Sequence, residues 1–124
     1  MAVPIFKQGN ALIASIQAAL TDNDLLRLQD DLLSQVGRFR STGVIIDVSA
    51  LDVLDSFAAR TLRGIVETTR LKGAEAVIVG IQPDVAFAMV QLGLTLDEVA
   101  TGLDLEEGMA ILARRDKARA RRDR

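Results

Sequence analysis

The sequence predicts an α/β domain with a mixed, mostly parallel sheet of about five strands and four main helices. Three observations carry this. Two apolar runs, Val44–Val48 and Ala74–Ile81, are nearly continuous and rich in β-branched residues, as strands buried on both faces are. Segments with apolar residues at helical spacing lie before, between and after them. Strands that alternate with helices in this way pair in parallel through right-handed crossovers. At 124 residues, 49% hydrophobic and 26% charged, the chain suits one domain with its own core.

The elements follow in order. Val3–Phe6 reads as an edge strand, because Pro4 cannot donate to a central ladder. Gly9-Asn10 is a turn, and Ala11–Ile16 is the second strand, so the chain opens with a hairpin. Thr21 or Asp22 caps the first helix, where Asp22 and Asp24 suit the positive helix end. Leu25, Leu28, Leu32, Val36 and Phe39 form its inward stripe, and Gly37 marks its fraying end. Ser41-Thr42-Gly43 links it to the central strand, Val44–Val48, with Asp47 near the carboxyl end. A short acidic loop with Asp52 and Asp55 follows. Asp55 is a good N-cap, which puts Ser56 at the first helical position. Ala58, Leu62, Ile65 and Val66 face inward on that helix, and Arg60, Arg63, Glu67 and Arg70 face outward. After a turn at Lys72-Gly73, Ala74–Ile81 is the next buried strand. Gln82 or a nearby residue caps a helix that Pro83 begins. Val85, Ala86, Met89 and Val90 face inward there, and Gly93 is its stop. Met89, Val90, Leu92 and Leu94 are core or interface residues. Leu94–Ala100 holds a last short strand, and Asp104 caps a final helix with Leu105, Gly108, Met109 and Leu112 on one side.

Composition excludes several functions. Cysteine is absent, so there are no disulfides and no thiol chemistry. Histidine is absent too, which removes the usual general base and the commonest transition-metal ligand. There is no tryptophan or tyrosine and there are only four phenylalanines. The aromatic platforms that hold single-stranded nucleic acid are therefore missing. No signal peptide or apolar run of membrane-spanning length is visible, so a soluble cytoplasmic protein is expected. The net charge of −2 hides a split. Residues 1–113 hold eight basic and fifteen acidic side chains, and residues 114–124 hold seven and two. The expected layout is a domain at 1–113 followed by a basic tail at 114–124, a frayed helix end or a disordered segment.

The candidate site is the strand-to-helix junction. A serine hydroxyl, that of Ser56, stands at the carboxyl edge of a sheet beside unpaired helix N–H donors, where α/β proteins place function. A phosphate there meets those donors and the positive helix end. Asp47, Asp52 and Asp55 lie close in sequence, and a phosphate adds roughly −1.5 to −2 charges to them. The three aspartates read as structural or as aids to kinase positioning rather than as a metal or acid–base cluster. Arg60 and Arg63, four and seven positions after Ser56, share its helix face. They are a solvated stripe, a docking edge or a partial counter-charge.

The stretch I-D-V-S-A-L-D-V-L-D-S-F, Ile46–Phe57, resembles the signature of STAS domains, the anti-sigma factor antagonist family. Phe57 departs from the usual wording of the stand-alone antagonists and is similar to the stressosome scaffold branch. Leu28–Leu33, Gly80–Pro83 and Asp104–Gly108 fit the same branch. The resemblance runs from about Val3 to Arg114. It implies a STAS fold without catalytic residues, cofactor or metal, and Ser56 as a reversibly phosphorylated acceptor. Asp47, Asp52, Asp55, Phe57, Arg60 and Arg63 then flank the acceptor and serve kinase recognition. It also implies a scaffold that co-assembles with RsbR-like sensor paralogues as a homo- or co-oligomer. Such a scaffold holds an RsbT-like serine kinase until Ser56 is phosphorylated and is reset by a serine phosphatase of the RsbX type. Neither nucleic acid nor membrane is an expected partner. The alternatives are a stand-alone antagonist of an anti-sigma kinase and a non-phosphorylated accessory subunit of a transporter. A phosphorelay receiver fits poorly: Ser15-Ile16-Gln17 offers no acidic pair, and no lysine lies between Lys72 and Lys117.

Overall fold

A computed structural model describes residues 3–17, 20–94 and 99–122. The elements are β1 (Ile5–Gln8), β2 (Ala11–Ser15), α1 (Asp22–Phe39), β3 (Gly43–Asp47), α2 (Ser56–Leu71), β4 (Glu75–Val79), α3 (Pro83–Gln91), β5 (Ala100–Gly102) and α4 (Leu105–Arg122). The sheet order is the chain order, β1-β2-β3-β4-β5. β1 and β2 pair antiparallel, and every later neighbour pairs parallel.

The two sheet faces are covered unequally. Leu12, Ala14, Val44, Ile46 and Ile78 pack with buried residues of α1, α2 and α3. Ala11, Ile13, Ile45, Val77 and Val79 pack with Leu112 of α4. Side chains alternate along a strand, so a strand buried on both faces must be apolar at every position. That is why β3 and β4 read as unbroken apolar runs. α4 comes very close to the sheet. A Cβ on Gly108 would lie 2.8 Å from Val79 Cγ1, and one on Gly43 2.5 Å from Leu112 Cδ1.

The caps follow the sequence. Thr21 and Asp24 form a reciprocal capping box: Thr21 Oγ1 accepts from Asp24 N–H at 3.1 Å, and Asp24 Oδ2 accepts from Thr21 N–H at 3.0 Å. Asp104 Oδ1 accepts from Glu107 N–H at 2.9 Å at the start of α4. Pro83 begins α3 as expected, but Gln82 at the N-cap position makes no side-chain capping hydrogen bond.

Several expectations need correction. β1 starts at Ile5, and Val3 is buried ahead of it. α1 runs past Gly37 and stops at Arg40, which takes the left-handed conformation at φ 50. Phe39 is 41% exposed, because its ring is covered by the cations of Lys7 and Arg38, each 5.4 Å from the centroid, rather than by core. On α2 the buried alanine is Ala59, and Ala58 only borders the core. On α3 the buried stripe is narrow, Val85 and Met89, which leaves Val90 exposed and Ala86 half-buried. Leu92 is exposed as well, and Leu94 is buried. The last strand is Ala100–Gly102, which shares only Ala100 with its expected span of Leu94–Ala100, and residues 95–98 of that span lie outside the described residues. Leu105 is exposed at the start of α4. α4 continues without a break from 105 to 122, so the basic residues from 114 onward extend a helix that begins in the domain.

Candidate functional site: the β3–α2 junction

Two buried leucines shape the junction. Leu51 and Leu54 turn into the core, so Asp52, Val53, Asp55 and Ser56 face solvent. The spacing L-x-x-L thus holds the loop down while presenting the residues around it. Asp55 caps α2, its Oδ1 accepting from Ala58 N–H at 2.7 Å. Ser56 is the first residue of α2 and is exposed. The first-turn N–H groups of a helix have no partner within it, and the helix dipole favours negative charge there. The hydroxyl of Ser56 is therefore open to an enzyme, and its surroundings suit an added anion.

Asp47 has a different job. Its Oδ1 accepts from Ser49 N–H at 2.9 Å and closes the turn that leaves β3. Gln82, before α3, donates from Nε2 to the Ser49 carbonyl at 2.9 Å. Gly80 allows this packing: it has φ 76, and a Cβ on it would lie 2.7 Å from Ser49 Cβ. Composition and spacing missed Gln82, Gly80 and the exposed Val53. The available signals were the family-like stretch Gly80–Pro83 and a glycine near the end of a buried apolar run, a place where backbone often approaches closely.

The other expected site residues divide. Asp52 is exposed in the loop. Phe57 packs partly against the core, and its carbonyl accepts from the Thr61 hydroxyl at 2.9 Å. Arg63 pairs with Glu67 at 3.1 Å. Arg60 is exposed, and none of the salt bridges among the described residues involves it. Of the two arginines, Arg60 is the one whose charge is uncommitted near Ser56. Among the described residues no group of three or more acidic side chains stands close enough to hold a metal ion. A groove of about 180 Å³ lies beside the junction, lined by Gln17, Asp22, Leu51, Val53, Asp55 and Ala58 among others. No helix of the described residues is long and apolar enough to cross a membrane.

Comparison with known proteins places this geometry. The STAS domain family matches residues 3–108. The RsbT co-antagonist protein RsbRA of Bacillus subtilis (strain 168) is 30% identical over 107 residues, which is 86% of this chain and 38% of RsbRA. This chain therefore spans well under half the length of that relative. A variant of RsbS from Moorella thermoacetica, with a serine replaced by glutamate, superposes with a TM-score of 0.86 at 33% identity. The match covers 93% of this chain and 97% of that one. A chain from a structure of the stressosome, described as a signal integration and transduction hub, gives a TM-score of 0.82 at 34% identity. That match covers 90% of this chain and 96% of the other. The four helices and five-strand mixed sheet match the STAS fold of RsbS, and the chain belongs to the STAS domain family.

Proposed function

We propose that this protein is a phosphorylation-switched scaffold of a stressosome-type signalling complex, with Ser56 as the acceptor. The observation that carries the reading is the exposed Ser56 at the first position of α2, in a chain that matches RsbS over 93% of its length. The scaffold acts in the cytoplasm without catalysis of its own. It co-assembles with RsbR-like sensors, holds an RsbT-like kinase and is reset by an RsbX-type phosphatase. The RsbS variant with glutamate in place of a serine supports the reading, since glutamate is a partial stand-in for phosphoserine.

The release step follows from charge. Phosphate brings a strongly hydrated group into a surface that must lose water on docking. Asp55 already carries a negative charge beside it, so the phosphorylated loop presents a denser negative charge to any acidic group of the docking kinase. At an effective dielectric of about 20, unit charges about 4 Å apart interact by roughly 4 kcal/mol. Solvent at this exposed site screens most of that, yet about 1.4 kcal/mol is already a tenfold loss of affinity. Arg60 opposes the effect by sharing the charge.

The test joins phosphopeptide mapping to kinase pull-downs. Label is expected on Ser56, with kinase retained by wild type and by Ser56→Ala, and lost from phosphorylated protein. Ser56→Asp should bind less than wild type. Label on another residue overturns the acceptor assignment. Equal retention of kinase by wild type, Ser56→Asp and phosphorylated protein overturns the release step.

A further inference from the structure

The charges at the helix ends are sorted along the strand axis. β2, β3, β4 and β5 run parallel, so the helix after each begins at the carboxyl edge of the sheet. The first turns there hold Asp22, Asp24, Asp84, Glu106 and Glu107 and no lysine or arginine. The last turns hold Arg38, Arg70, Arg119, Arg121 and Arg122 and no acid. Compensation of helix dipoles accounts for one or two charges per helix. It does not account for the end of α4.

α4 outruns the sheet. Arg115 pairs with Glu75, the first residue of β4. Thr42 Oγ1, just before β3, donates to Asp116 Oδ2 at 3.2 Å. These contacts mark where α4 passes the amino edge. Residues 117–122 continue for about 9 Å at about 1.5 Å per residue, exposed at every position. They carry Lys117, Arg119, Arg121 and Arg122 and no acid. Arg119 and Arg122 also line a groove of about 290 Å³ with Thr42, Glu75, Arg115 and Asp116. This stretch of helix carries four like charges, and none of its residues belongs to the buried core.

We propose that this basic spur docks on the acidic carboxyl edge of a second copy of the chain, giving a head-to-tail contact. Charge complementarity selects the occupant: residues 114–124 hold seven basic and two acidic groups, against eight basic and fifteen acidic in residues 1–113. The contact is heterologous, so each copy keeps one free spur and one free edge, and the pairing extends to further copies. The inference deepens the scaffold reading by naming a surface for it, and it needs neither kinase nor phosphate.

The test is sedimentation of the unphosphorylated full chain at about 0.1 M and about 1 M salt, where the Debye length falls from about 10 to about 3 Å. Wild type should associate at low salt and weaken by about tenfold or more at high salt. Arg119→Glu with Arg122→Glu, and separately Asp84→Lys with Glu106→Lys, should each weaken association to a similar extent. An equimolar mixture of the two reversed proteins should recover it, because the reversed spur then meets the reversed edge and the unaltered spur meets the unaltered edge, each pair of opposite sign. Circular dichroism checks that both variants fold. Association unchanged in both variants overturns the spur while leaving a scaffold that assembles by another face. Failure of the mixture to recover also overturns it. A monomer under every condition overturns the spur and the scaffold together. Binding of duplex DNA by the spur, with association unaffected by the reversals, assigns it to nucleic acid instead.

Discussion

Replacing Gly80 with alanine tests whether the β3–α2 junction is held from behind by β4. Gly80 has φ 76, and a Cβ there would lie 2.7 Å from Ser49 Cβ, 3.2 Å from Ser49 Cα and 3.2 Å from Asp47 Oδ1. Two costs follow. A residue with a Cβ in the left-handed region loses about 1–2 kcal/mol. The contact with Ser49 is partly with backbone, so relief requires a shift of the turn, and overpacking of that kind costs about 1–3 kcal/mol. Gly73 is the internal control, because its φ is 85 and nothing lies within 4 Å of the Cβ position. Gly73→Ala carries the conformational cost alone. The stabilising effect of alanine on the unfolded chain is the same for both and cancels in the difference. Gly80→Ala should therefore be less stable than Gly73→Ala by about 1–3 kcal/mol. Urea denaturation followed by circular dichroism measures this, with equal slopes confirming a comparable transition. The shift of Ser49 should also loosen the Asp47–Ser49 and Gln82–Ser49 hydrogen bonds and slow phosphorylation of Ser56. Gly73→Ala should leave that rate unchanged. Equal stability of the two variants would refute the packing argument.

Other perturbations have expected outcomes. Leu112→Ala removes the buried anchor of α4 on its sheet face and should cost about 2–5 kcal/mol in urea denaturation. A chain ending at Asp116 keeps the contacts to Thr42 and Glu75. It should unfold within about 0.5 kcal/mol of the full chain, yet lose head-to-tail association in sedimentation. The Thr21 backbone N–H is the main group that holds the Asp24 carboxyl below its usual value. A carboxylate with a lowered folded pKa contributes stability that is present above its unfolded value and lost as pH falls through the folded one. Asp24→Ala should thus lower the thermal midpoint at neutral pH and have little effect in strong acid, read by a melting series across that range.

Much of this protein was legible in the amino-acid order because the signals are short-range. The capping box at Thr21 and Asp24, the Asp55 cap with Ser56 behind it, and Pro83 at the start of α3 each depend on residues within one turn. The unbroken apolar runs of β3 and β4 needed only the alternation of side chains along a strand and a sheet covered on both faces. Tertiary structure decided what depends on a distant neighbour. Phe39 and Val90 carry the correct helical period and still lie at the surface, because burial needs an opposing element as well as a stripe. Gly80, Gln82 and Asp47 meet at Ser49 across 33 residues of chain. The reach of α4 past the amino edge appears only when Thr42 and Glu75 stand next to Asp116 and Arg115. Local pattern sets what each segment can form, and the packing of distant segments sets which of its faces remain open.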